Sequence, residues 1–282
     1  MRIYPLASWA LAVFALMTSP SAHAAQPALV ITHGKVEHQF NAAELLAMPD
    51  TAYVTVQTDV FDHPTTYRAV PLLSLLGHAA GDQFDTLETR ALDGFVSQIP
   101  LALIERGAKG GAVAWIAVED PQHPWPPLPN KTVSAGPFYL VWEHPERSGV
   151  STEQWPFQLA SIAFTESPVH RWPQLAVPAD LPDASPARHG QEVFLVQCLP
   201  CHRLNGGGTG EVGPDLARPM SPTQYLTDAG LRAIIRNTRA VRTWPGQQMD
   251  AFDKTALPDA DLDAVVAYLH AMASSVASPA KR

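Results

Sequence analysis

The placement of the cysteines constrains this chain more than any other feature. The chain has 282 residues but only two cysteines, Cys198 and Cys201, and His202 follows the second one directly. Two thiols three positions apart cannot staple a scaffold of loops, so a disulfide-rich fold is excluded. A zinc site would need more ligands nearby, and the chain has no second cysteine pair. With 46% hydrophobic and 16% charged residues, the chain has enough apolar content to form real cores instead.

The segment Cys198-Leu199-Pro200-Cys201-His202 has the C-x-x-C-H spacing at which c-type haem is attached. Thiols at this spacing add to the two vinyl groups on one edge of a porphyrin, and the next residue is held beneath the iron. A thioredoxin-like redox pair is the alternative, but it needs a helix that begins at the first cysteine. Here the helical pattern runs into the motif from its N-terminal side. We therefore predict one covalent haem c, attached to Cys198 and Cys201, with His202 as the proximal iron ligand.

The N-terminus has the layout of a secretory signal peptide. Arg2 precedes an apolar run from Leu6 to Met17, and a small-x-small stop follows at Ala22-His23-Ala24. The apolar run is shorter than the roughly 20 residues that a membrane span needs, although an uncleaved anchor is the alternative. We predict a signal peptide over 1–24, cleavage after Ala24, no later membrane span and, for a bacterial chain, a periplasmic location.

Charge and proline divide the rest of the chain. Residues 25–167 hold 7 basic and 16 acidic residues, a balance of −9, whereas residues 168–282 hold 11 of each. Such a step indicates two units with different surfaces. The segment 168–185 is rich in proline and has almost no apolar periodicity, which predicts a semi-rigid, extended linker. The net charge of −8 makes a nucleic-acid partner a poor choice.

Residues 186–275 resemble a class I cytochrome c domain, which is an all-α electron-transfer fold. The features that match, in order, are Gly190 with Phe194, the C-x-x-C-H motif, Gly213-Pro214-Asp215-Leu216, Met249 before Ala251-Phe252, and Ala267-Tyr268-Leu269. The resemblance implies that the Pro214 carbonyl accepts the second ring proton of His202.

The second axial ligand of the iron has three candidates in this region. Met272 falls in the last helical stretch, where a core or tail position is expected. Met220 follows His202 closely, whereas Met249 lies in a loop between two helices that can bring its sulfur to the open face. The resemblance also selects Met249, so we predict Met249 as the distal ligand, with Met220 as its main rival.

Arg236, Arg239 and Trp244 are candidates for hydrogen bonds to a haem propionate. The arginines recur at helical spacing, which also fits a plain solvated helix face. A basic rim of this kind could instead steer an acidic redox partner.

The N-terminal segment alternates short strands with few helices, which predicts an α+β domain over 25–167. It resembles the sulfite-oxidase-like, molybdopterin-binding fold in Tyr67–Leu72, Ala91–Phe95 and Gly136–Leu140. That family's enzymes hold molybdenum through a cysteine thiolate, but both cysteines here belong to the haem motif, and Thr58 is nearest to the expected position. We therefore expect the fold without molybdopterin. Metal binding by the scattered histidines is an alternative; these are His33, His38, His63, His123 and His144.

These features predict a multidomain periplasmic monohaem cytochrome c. It would carry single electrons between a dehydrogenase or oxidase partner and the respiratory chain, and its N-terminal domain would recognise the partner. The sequence shows no nucleophile elbow, phosphate-binding glycine loop or paired carboxylates, so we expect no catalytic residues and favour a carrier over an enzyme. The alternatives are a molybdopterin-dependent oxidoreductase with a fused acceptor haem, and a cytochrome subunit that works only in a complex.

Overall fold

The computed structural model describes residues 27–58, 60–77, 83–129 and 131–277, and the predicted signal peptide lies outside these residues. The described part of the chain forms two units. The first contains strands and short helices between Ala28 and Thr165, and the second is helical from Pro186 onward. Within the described residues, no helix is both long and apolar enough to cross a membrane.

Nine strands of the N-terminal unit form two sheets. The five-stranded sheet has the order β2-β1-β9-β5-β6, and β1 and β9 are its parallel pair. The four-stranded sheet has the order β3-β4-β7-β8 and is antiparallel throughout. The strands are β1 (Ala28–His33), β2 (Val36–Asn41), β3 (Ala52–Val56), β4 (Thr65–Pro71), β5 (Thr86–Ala91), β6 (Val96–Pro100), β7 (Val113–Val118), β8 (Phe138–Glu143) and β9 (Leu159–Thr165).

Short helices connect these strands and close the core. They are α1 (Ala42–Leu46), α2 (Leu72–Leu76) and α3 (Leu101–Glu105). Asn41 caps α1 by accepting a hydrogen bond from the Glu44 amide, while the Glu44 side chain accepts one from the Asn41 amide. The main core lies between the two sheets and includes Leu29, Leu87, Ile116 and Trp142.

The four-stranded sheet is buried on both faces. One face lies against the main core, and a second apolar cluster that contains Tyr67, Tyr139 and Val141 covers the other. Burial on both faces explains why the runs Val113–Val118 and Phe138–Trp142 are almost continuously apolar. The mixture of strands and helices confirms the predicted α+β character of this unit, whereas the sulfite-oxidase-like resemblance stays a prediction.

The segment 168–185 differs from the extended linker that its prolines predict. It forms the short helix α4 (Pro168–Arg171) and a 3-10 turn over Pro173–Leu175. Leu175 is fully buried in the core of the helical unit, and the Val177 amide donates to the Gln191 side chain at 2.7 Å. Proline is suited to the first turn of a helix, so prolines at the start of such turns order the segment instead of extending it.

The helical unit contains α5 (Pro186–Gln197), α6 (Pro222–Tyr225), α7 (Asp228–Arg236), α8 (Thr238–Val241) and α9 (Asp259–Ala277). Helices α5 and α9 form its main contact. Gly190 lets them approach, because a Cβ at this position would overlap the backbone of Ala264. The Phe194 and Tyr268 rings lie 5.2 Å apart across the contact.

The two units touch directly. Strand β6 and the 3-10 helix Thr152–Gln154 contact α5. Arg171 adds a polar bridge from the connecting segment, because its guanidinium donates to the Glu88 carboxylate at 2.7 Å and to the Gln98 side-chain oxygen at 2.7 Å. These contacts hold the end of α5 against the N-terminal unit.

Candidate haem-binding site

Helix α5 ends at the C-x-x-C-H motif. Cys198 is the C-cap residue, and its amide donates to the Phe194 carbonyl at 3.0 Å. Both cysteines are free thiols. The pKa of Cys198 is raised to about 12, mainly by burial, and that of Cys201 to about 11 for the same reason. Redox-active C-x-x-C pairs have lowered thiol pKa values, so both the helix position and the electrostatics argue against a thioredoxin-like site.

The ring of His202 is fixed by its Nδ1 atom. Nδ1 lies 2.8 Å from the Pro214 carbonyl oxygen, and because a carbonyl can only accept, Nδ1 must carry the proton. The other nitrogen, Nε2, then has its lone pair free for a metal. Burial lowers the pKa of His202, although the bond to Pro214 opposes this, and a lowered pKa keeps the imidazole neutral. The structure thus shows the outer-sphere bond that the resemblance implies.

Glycines pack against this histidine and its backbone. A Cβ on Gly213 would overlap the His202 ring, so only glycine fits here without moving the imidazole. The Gly213 amide donates to the Cys201 carbonyl at 2.8 Å. A Cβ on Gly210 would lie 2.6 Å from the Cys201 carbonyl carbon. The loop between His202 and Gly213 is therefore held close to the motif.

Asp215 organises the same loop. Its carboxylate accepts hydrogen bonds from the amides of Asn205 at 2.9 Å, Gly206 at 2.6 Å and Ala217 at 2.8 Å. Three amide donors to one carboxylate form a rigid turn. The sequence shows Asp215 only as part of a motif, and nothing in the spacing reveals that it holds the loop before Gly213.

The three candidate methionines have different surroundings. Met272 is 2% exposed within the core, which explains it as a packing residue. Met220 is 51% exposed. Met249 is partly buried and lies against the apolar cluster of the helical unit. Nearby, the Gln247 side-chain nitrogen is buried without a hydrogen-bond partner among the described residues.

Of the three candidates for hydrogen bonds to a haem propionate, Arg236 is bonded to other residues of the chain. Arg236 donates to the carbonyls of Phe252, Asp253 and Leu257, and it pairs with the Asp259 carboxylate at 2.7 Å. It thus fixes the segment between Met249 and α9. Arg239 is exposed, and Trp244 is 47% exposed with the Arg242 guanidinium 5.7 Å from its ring centre. A propionate contact by Arg239 or Trp244 stays a prediction.

Comparison with protein-family models gives a match that falls on this unit. Residues 187–273 match the family model described as Cytochrome c. The helical unit is a cytochrome c domain. The match covers about a third of the chain, so it assigns the cytochrome c domain and leaves the N-terminal unit unassigned. No curated protein matches the chain. The family implies covalently bound haem c and an electron-transfer function.

The residues of the cytochrome c domain fit such a haem. Its two thiols are unpaired, the imidazole presents the correct nitrogen, and Gly213 leaves room for the ring. The buried, unpartnered amide of Gln247 lies two residues before Met249, where a polar group of a cofactor could accept its hydrogen bond.

We call the side of this site that holds Cys198 and Cys201 the cysteine edge, and the N-terminal unit lies against it. A cleft of about 400 Å³ lies between the units, with Asp93 and Gly94 of the β5–β6 turn on one side and Val212 and Gln248 of the cytochrome c domain on the other. Val212 directly precedes Gly213, and Gln248 directly precedes Met249. The cleft therefore reaches residues that adjoin Gly213 and Met249 in the chain.

After burial, the charges of three carboxylates also raise the pKa values of the two thiols. Repulsion from Glu153 raises the pKa of both thiols, and Asp250 and Asp93 add to the effect at Cys201. Burial, followed by the charge of Asp250, raises the pKa of Glu153 to about 7. Asp93 and Glu153 belong to the N-terminal unit and lie more than 40 residues before the motif, so sequence spacing gives no signal for them.

Thr58, the nearest counterpart of a molybdenum-binding cysteine, directly follows the loop residue after β3. It is 4% exposed, and its hydroxyl has no partner among the described residues. A neutral hydroxyl is a poor substitute for the soft thiolate that the family uses, so the residues present do not fit that centre. Among the described residues, no group of three or more His, Cys, Asp or Glu side chains could hold a metal ion.

Proposed function

We propose that this chain is a periplasmic monohaem cytochrome c that carries single electrons between redox proteins. Cys198 and Cys201 would attach the haem, and His202 and Met249 would ligate its iron. Bound haem supplies a one-electron couple between ferrous and ferric iron. The N-terminal unit serves to recognise the redox partner.

The observation that carries this proposal is the orientation of His202. The bond from Nδ1 to the Pro214 carbonyl sets the tautomer, and the packing of Gly213 sets the ring plane. A carbonyl partner on Nδ1 leaves the lone pair of Nε2 available to a metal, which is the arrangement that a histidine ligand of iron needs. The C-x-x-C thiols start from the same short turn, in which the His202 amide donates to the Cys198 carbonyl at 2.9 Å.

The remaining residues of the chain determine what such a haem can do. With His202 and Met249 as its iron ligands, such a haem would leave no position for a substrate, which suits a carrier, and its reduction potential would be higher than with two nitrogen ligands. Arg236 supports the methionine side, because its bonds to the carbonyls of Phe252, Asp253 and Leu257 hold the chain that follows Met249.

The first test is whether haem is attached. The full chain is expressed in a host competent for cytochrome maturation, and the purified protein is weighed under denaturing conditions. We expect one covalent haem per chain. A colourless product without added tetrapyrrole mass would contradict the proposal.

The second test concerns Met249. Replacing Met249 by alanine opens the sixth position of the iron, so carbon monoxide should bind the ferrous variant and shift its absorption spectrum. Met220→Ala is the matched control, because Met220 is 51% exposed, and it should leave the ferrous protein unreactive. If the two variants respond in the reverse order, Met220 is the ligand.

Partner recognition by the N-terminal unit is supported by its balance of −9 over residues 25–167 and by its position against the cysteine edge. An acidic unit favours a partner with a basic surface, and its association rate should fall as salt screens the charges. The partner is isolated from periplasm with the full chain as bait and identified by mass spectrometry. Metal analysis of the same purified protein tests the molybdenum alternative.

A further inference from the structure

The carboxylates at the edge between the two units have an effect beyond surface charge. Asp93 and Glu153 belong to the N-terminal unit but lie at its contact with the cytochrome c domain. Asp93 lines the cleft that also reaches Gln248, and Glu153 lies in the 3-10 helix that contacts α5. Asp93 is exposed, Glu153 is partly buried, and the Arg171 bridge holds the two units together.

We propose that the N-terminal unit sets the reduction potential of the haem by holding Asp93 and Glu153 beside the cysteine edge of the porphyrin. This inference rests on the proposed function, since it requires haem at Cys198 and Cys201. It assigns the N-terminal unit a role that needs no cofactor of its own.

The sign of the effect follows from charge. Loss of one electron from the iron adds one positive charge to the haem, and nearby negative charge stabilises the oxidised form. A buried carboxylate is screened little by salt or water, so its effect is larger than that of an exposed one. Arg90 and Arg203 line the same cleft, but Arg90 pairs with Glu88 and Arg203 with Glu211. Among the described residues no ion pair within 4 Å involves Asp93 or Glu153, and the Asp93 carboxylate accepts a hydrogen bond from the Phe95 amide at 3.1 Å. The two carboxylates therefore lower the potential.

Glu153 is partly buried whereas Asp93 is exposed, so water and salt screen the Glu153 charge less. The larger effect should therefore come from Glu153. Burial raises the pKa of Glu153 to about 7, so this carboxylate carries its full charge only well above that pH. Asp250 also faces this edge, but it adjoins Met249, so its replacement would confuse charge with ligation.

The experiment is redox titration of the purified, haem-loaded full chain at a pH well above 7, where Glu153 is ionised, after the haem content of each variant has been confirmed. Asp93→Asn retains the oxygen that accepts the Phe95 amide, and Glu153→Gln is nearly isosteric. We expect Glu153→Gln to favour reduction by about threefold or more in the equilibrium constant, which is about 28 mV at 59 mV per tenfold. Asp93→Asn should shift the potential in the same direction by a smaller amount.

Two controls separate charge from structure. Glu153→Asp keeps the charge and should restore most of the original potential. Glu37→Gln removes a carboxylate from the same unit, but Glu37 lies on β2, at the opposite edge of the five-stranded sheet from β6, and should leave the potential unchanged. If Glu153→Gln and Asp93→Asn both leave the potential of the loaded protein unchanged, the inference is overturned while the proposed function stands. Absence of haem from the unmodified chain would instead overturn the proposed function.

Discussion

Replacing Gly190 by alanine tests how the cytochrome c domain holds its attachment helix. An alanine Cβ would overlap the Ala264 carbonyl oxygen and lie 2.9 Å from the Tyr268 Cβ. The collision is with the backbone of α9, so no side-chain rotation can relieve it. Helices α5 and α9 must move apart, and α5 is the helix that ends at Cys198.

The expected free-energy change is the sum of two opposing effects. In an exposed helix, alanine in place of glycine stabilises by about 1 kcal/mol. Overpacking typically costs about 1–3 kcal/mol, and a rigid backbone obstacle places Gly190 at the upper end of that range. We therefore expect a net loss of about 2 kcal/mol in the free energy of unfolding. At a slope of about 2 kcal/mol per molar urea, the midpoint falls by about 1 M.

The assay is urea unfolding of the haem-loaded chain, monitored by haem absorbance and by circular dichroism. Gly230→Ala is the matched control in α7, because the nearest atom to its Cβ would be the Thr227 hydroxyl oxygen at 3.3 Å, a close contact that a side chain can relieve by a small shift and a backbone carbonyl cannot. This control should have a midpoint equal to or above that of the unmodified chain. A midpoint for Gly190→Ala at or above the unmodified chain would refute the packing argument.

Two further predictions concern charges between the units. Arg171→Ala leaves the Glu88 carboxylate, 14% exposed, without its main partner, so it should lower the free energy of unfolding by about 3 kcal/mol. Arg90→Ala removes only a 3.4 Å contact of a half-exposed arginine and should lower it by less than about 1 kcal/mol. Equal losses for the two variants in urea titrations would contradict this. The folded-state pKa of Glu153, about 7, exceeds its ordinary value of 4.5, so the folded chain holds this proton more tightly and stability should fall as pH rises from about 4.5 to 7. Glu153→Gln should flatten that slope in urea midpoints measured across this range, and an unaltered slope would assign it to other groups.

The sequence can predict a candidate haem site because the residues that would form it are close together in the chain. The C-x-x-C-H motif, the helix that enters it and the glycine of the α5–α9 contact all lie within one short segment. Local sequence does not determine every contact: serine is a common N-cap residue, but the Ser185 hydroxyl makes no capping hydrogen bond although α5 begins at Pro186. Proline at the first position already removes one amide that would need a partner.

Other features depend on contacts that no local pattern encodes. Strand β9 pairs with β1 and β5, whose residues lie more than 60 positions away. The same holds for Arg171, which meets Glu88 across 83 residues. Arg171 lies in a proline-rich segment whose local sequence favours a linker. The burial of Leu175 in the same segment depends on contacts with the folded cytochrome c domain, which the local sequence does not show.

The packed connection between the units is what makes electrostatic control of the haem physically possible. A flexible linker would let the N-terminal unit move over a range of distances, and the effect of its charges on the iron would be averaged and screened beyond about 8 Å at physiological salt. Here Leu175 is buried in one unit while Arg171, four residues earlier, is bonded to the other. Short spacing between two anchors leaves little freedom, so Asp93 and Glu153 stay at a constant position relative to the cysteine edge. An acidic unit held in this way acts on the haem in every molecule, and the same contact excludes a partner from that edge unless the partner also meets the N-terminal unit.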